Sequence, residues 1–141
     1  MADNPFENYG LLQRLSDHNL MTVIRNPIDT MQHLSFPEAI AQRMMRENPE
    51  LGPRVDRGLL DMAINFAGGY DWAAREGISP QIAKEMARAY QYKGYADRPE
   101  DSIQDYYENV AGIEAFTGER VSHERLMDMA LQYARQKAAQ Q

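Results

Sequence analysis

Two stretches of this chain carry the same four residues in the same spacing: Asp61, Asn65, Ala67 and Gly68, then Asp105, Asn109, Ala111 and Gly112. On a helix, positions i, i+4 and i+7 share a face, so each stretch presents an acid, an amide and a glycine in one line. Where two such faces meet, Asp61, Asn65, Asp105 and Asn109 form a polar cluster inside the protein. Gly112 then admits a close backbone approach, because glycine inside a helix costs about 1 kcal/mol relative to alanine. The plainer alternative is that Gly68 ends its helix and the Asp and Asn side chains are solvated. Two carboxylates and two amides could hold a hard cation, but they supply neither an imidazole nor an activated nucleophile. The chemistry they suit best is hydrogen bonding between helices; in an enzyme, Asp61, Asp105 and Asn109 would be the site.

A second concentration of acid runs from Asp97 to Glu108, where Asp97, Glu100, Asp101, Asp105 and Glu108 face a single base, Arg98. Acids in a first helical turn complement the helix dipole, which accounts for Asp97, Glu100 and Asp101. The remainder make a negative surface, and with Tyr95 and Tyr106 beside it that surface suits a basic protein partner. Tyr90, Tyr92, Tyr95, Tyr106 and Tyr107 crowd around the Gly94 turn. Such residues fill cores with their polar tips at the rim, or else form interfaces, which here would mean a partner or a homo-oligomer.

Other chemistries fail on spacing. The histidines are His18, His33 and His123, no two of them four residues apart, and Met127 stands where a zinc-protease motif beginning at His123-Glu124 needs its second histidine. His123, directly after Ser122, reads as a surface or capping residue. Ser16-Asp17-His18 has the residue types of a hydrolase triad, but triads assemble in space rather than consecutively. With no cysteine, there is no thiolate ligand or nucleophile. No metal site and no cofactor is implied.

The elements that must position these residues read as helices. Ser79-Pro80 is an N-cap with proline at the first helical position, and Ile82, Met86 and Tyr90 follow at helical spacing, predicting a helix from Pro80 to Lys93 closed by Gly94. Asp97 and Pro99 open the next, with Ile103, Tyr106, Tyr107, Val110 and Ile113 as its apolar stripe, ending near Thr117-Gly118. Ser122 caps a last helix lined by Leu126, Met129, Ala130 and Tyr133, with a fraying polar tail over residues 136–141. Upstream, Ser35 and Pro37 start a segment that Asn48-Pro49 ends. Gly52-Pro53 starts another holding Val55, Leu59, Leu60, Met62, Ala63 and Phe66, which Gly68-Gly69 interrupts before a short turn of helix from Trp72 to Arg75, stopped by Gly77. Residues 1–34 carry weaker signals: Thr22-Val23-Ile24 would also suit a strand, and Pro27 breaks the run. The sum is one all-α domain over residues 1–141, a compact five- to six-helix bundle or orthogonal helical array.

The 141 residues are 43% hydrophobic and 26% charged, the composition of a globular chain. A net charge of -6 opposes phosphate backbones and anionic membranes, so neither nucleic acid nor membrane is an expected partner. The N-terminal residues lack a basic leader and an apolar core, and no apolar run reaches the ~20 residues of a spanning helix. The expected location is the cytoplasm of a bacterial host, or a virion.

The Asp105–Gly112 stretch resembles one element of a helical domain found in phage proteins and at the ends of polymorphic toxins. That domain has an early helix with Asp and a His four positions on, a central His-Glu pair, and a later helix with Asp, Asn four positions on and Gly three further. Asp61 resembles the first acid. Asn65 stands in place of the histidine, and Tyr90-Gln91 lies about where the His-Glu pair would be. With those groups replaced, the resemblance implies an inherited fold more than an inherited reaction. The functions in view are therefore a non-enzymatic binding protein of phage or mobile-element origin, a toxin-like hydrolase, and an acidic nucleic-acid mimic.

Overall fold

In the computed structural model, the residues described are 4–7, 43, 46, 47, 57–75 and 78–140. Among them every regular element is an α-helix: α1 (Arg57–Ala73), α2 (Pro80–Tyr92), α3 (Pro99–Ala115) and α4 (His123–Gln140). Four helices are delimited among the described residues, where five or six were expected over the whole chain. The segment expected to start at Gly52-Pro53 is α1, in which its Leu59, Leu60, Met62, Ala63 and Phe66 lie, although Gly52, Pro53 and Val55 themselves are outside the described residues. The helices anticipated over 11–34 lie outside them too, as does most of the Ser35–Asn48 segment, of which Arg43, Arg46 and Glu47 are helical.

Local chemistry sets the helix ends. The Ser79 side chain accepts the Ile82 N–H at 3.2 Å and Pro80 fills the first position of α2. Ser122 does the same for α4, accepting the Arg125 N–H at 3.1 Å. Arg98 precedes α3 with no side-chain cap, and Glu100 and Asp101 lie in its first turn, beside the positive end of the helix dipole. Gly118, at φ 101°, turns the chain between α3 and α4. The tail expected to fray stays helical to Gln140, although residues 135–140 are exposed, in keeping with its helix-favouring Gln, Lys and Ala.

The central element is α1. One core joins its Met62, Ala63, Phe66, Ala67 and Tyr70 to Leu126, Met127, Ala130, Leu131 and Ala134 of α4. A second joins its C-terminal Trp72 and Ala73 to Ala83, Met86 and Ala87 of α2 and Ile113 of α3. Fully buried alanines at 63, 83, 87, 130 and 134 let these helices pack closely. Glu47 adds an outer tie by bonding Arg135 at 2.8 Å, and Arg43 bonds Asp128.

One expectation about α1 is overturned and one about α3 holds only in part. Gly68-Gly69 does not interrupt α1, which runs unbroken through Trp72 to Ala73. The apolar stripe of α3 matches its inner face only in part: Ile113 is buried, but Ile103, Tyr106, Tyr107 and Val110 are half-buried, while the polar or small Ser102, Glu108, Asn109 and Gly112 are buried. Both corrections share one cause, a contact between α1 and α3 made through glycine and amide groups.

Candidate functional site: a polar seam between α1 and α3

The seam begins at two glycines. A Cβ on Gly112 would stand 2.8 Å from the Tyr70 nitrogen and closer still to the Phe66 carbonyl oxygen; one on Gly69 would stand 2.7 Å from the Asn109 carbonyl carbon and closer still to its oxygen. The contact is reciprocal: Phe66 and Gly69 of α1 answer to Asn109 and Gly112 of α3, running in opposite senses. The sequence echo had paired Gly68 with Gly112. In fact Gly68 meets nothing within 4 Å, and the glycine that matters is its neighbour.

This close approach brings the amides into register. Asn109, 2% exposed, donates from Nδ2 to the Asn65 backbone carbonyl at 2.8 Å and accepts at Oδ1 from Gln91 Nε2 at 2.8 Å. One amide side chain thereby ties α3 to both α1 and α2. Asn65 Nδ2 donates to two carboxylates, Asp105 Oδ1 at 3.1 Å and Glu108 Oε1 at 2.9 Å. Gln104 Nε2 serves the other Glu108 oxygen at 3.1 Å. Glu108 is 4% exposed, yet its hydrogen bonds come from neutral amides, so its charge is solvated by dipoles.

Acid accumulates along the seam toward solvent. Asp61 and Asp101 are exposed and Asp105 is half-buried. Burial pushes the Asp105 carboxyl up to about 6, and the charges of Glu108, Asp101 and Asp61 push the same way, opposed by Arg98. On the far side, burial and then Glu108 raise the Tyr133 hydroxyl to about 12, and the Tyr133 ring stacks on Phe66 at 4.9 Å. Among the described residues no group of three His, Cys, Asp or Glu side chains is placed to hold a metal ion.

The expected polar cluster of Asn65, Asp105, Asn109 and Gly112 is therefore brought together, with Asp61 at its exposed edge. The expected acidic surface divides. Asp97, Glu100 and Asp101 are exposed, Asp105 is half-buried, and Glu108 is interior, so it offers nothing to a partner's surface. Tyr95 and Tyr106 are half-buried, and the chain's own Phe6 packs on both, at 4.7 and 6.3 Å between ring centroids. His123 is exposed at the start of α4; His18 and His33 lie outside the described residues.

Sequence reasoning missed Phe6, Gly69 and the roles of Gln91 and Gln104. Gln91 did leave a trace, since it continues the line of Ala83 and Ala87 at four-residue steps, where a long amide after two alanines marks a polar partner on an inner face. Compared with family models, curated proteins and solved structures, the chain finds no match. Among the described residues no helix is long and apolar enough to cross a membrane.

Proposed function

We propose that this chain is a non-enzymatic protein-binding domain of phage or mobile-element origin, virion-associated or acting on a host protein, that takes a basic side chain of its partner at the acidic seam between α1 and α3. The observation that carries this reading is the half-buried Asp105 held among Asp61, Asp101 and Glu108, with Arg98 the cation that opposes them. Carboxylates crowded in this way repel one another, and an incoming ammonium or guanidinium relieves that repulsion while gaining charge-assisted hydrogen bonds. The interior amides support a binding role over a catalytic one, since Asn109 spends both ends of its side chain holding helices together. The resemblance to phage and toxin helical domains supports the origin.

The test is recovery of a partner from host cells by the intact chain and by Asp101→Lys, a substitution at an exposed position. The expected result is one specific partner whose recovery falls about tenfold with Asp101→Lys and falls again at high salt. No specific partner, or one indifferent to the reversal, defeats the reading.

One observation favours a second reading, a toxin-like hydrolase using Asp61, Asp105 and Asn109. With its carboxyl pushed up to about 6, Asp105 exchanges a proton close to neutral pH, as general acid–base chemistry requires. A hydrolytic activity lost in Asp105→Ala at unchanged helicity decides for it; an activity indifferent to that change decides against it.

A further inference from the structure

We draw no further inference here: the strongest candidate, the cluster of Asp61, Asp101, Asp105 and Glu108 along the α1–α3 seam, belongs to the site already described, and no second observation there points to a ligand.

Discussion

Gly112 lies against the backbone of Phe66 so closely that no side chain fits between them, and Gly69 bears the same relation to Asn109. The backbones of α1 and α3 therefore touch directly, and the side chains that flank the contact, Asn65, Asp105, Glu108 and Asn109, are brought within hydrogen-bonding range. The glycines cause the seam; the polar residues exploit it.

Adjacent glycines should accordingly behave in opposite ways. Gly69→Ala and Gly112→Ala drive a Cβ into rigid backbone and are expected to destabilise the fold by about 3 kcal/mol or more, in the manner of severe overpacking. Gly68→Ala, which meets nothing within 4 Å inside the same helix, is expected to stabilise by about 1 kcal/mol through helix propensity. Chemical denaturation of the three variants measures this, and equal losses at 68 and 69 would refute the close crossing.

Asn109 is the next link. Asn109→Ala removes a donor from the Asn65 carbonyl and an acceptor from the buried Gln91, leaving that amide without its bond, at an expected cost of about 2–4 kcal/mol. Combining it with Gln91→Ala should cost less than the sum of the two single changes, because the pair then disappears together. Additive losses would show that Gln91 and Asn109 do not interact.

How far such features can be read from the chain depends on how local their causes are. Ser79-Pro80 and Ser122 announce helix starts because a cap is satisfied within three residues. The Asp-Asn-Gly lines were visible for the same reason, since helical spacing is a local property. Gly69 was not, because the reason for it lies on another helix, and a Gly-Gly pair taken alone reads as a break. Glu108 was misplaced because a carboxylate belongs by default in water, and the amides of Asn65 and Gln104, which meet it inside, are not visible as its partners from the spacing alone. Phe6 was invisible for want of any local sign that its partners lie at the far corner of α2 and α3.

Asp105 makes stability depend on pH in a defined sense. Burial and the neighbouring carboxylates make its ionised form costlier in the folded chain than in the unfolded one, so folding takes up a proton. Its contribution is fully present below the ordinary aspartate range, near pH ~4, and is lost as pH rises through about 6. Asp105→Asn keeps an oxygen for Asn65 and cannot ionise. It is expected to flatten the fall in melting temperature across that window and to stabilise at neutral pH by on the order of 1 kcal/mol, a figure reduced for the half-exposed position. A variant that is less stable than the parent at pH 7 and equally pH-dependent would contradict this.

Tyr70 shows how the same central helix controls the link between α3 and α4. Its hydroxyl accepts the Val121 N–H at 3.0 Å and donates to the Glu119 carbonyl at 3.4 Å, while its ring, 1% exposed, meets Phe116 edge-on at 5.5 Å. Tyr70→Phe keeps the ring packing and deletes both bonds, so the loss falls on the linker rather than on the core. An expected cost of about 1–2 kcal/mol follows from leaving a part-buried amide unsatisfied. Amide hydrogen exchange separates this from a general loosening: Val121 should exchange faster while the amides in the middle of α1 and α4 stay protected relative to global stability. If Val121 exchange is unchanged in Tyr70→Phe, the hydroxyl does not anchor the linker, and the entry into α4 rests on Ser122 alone.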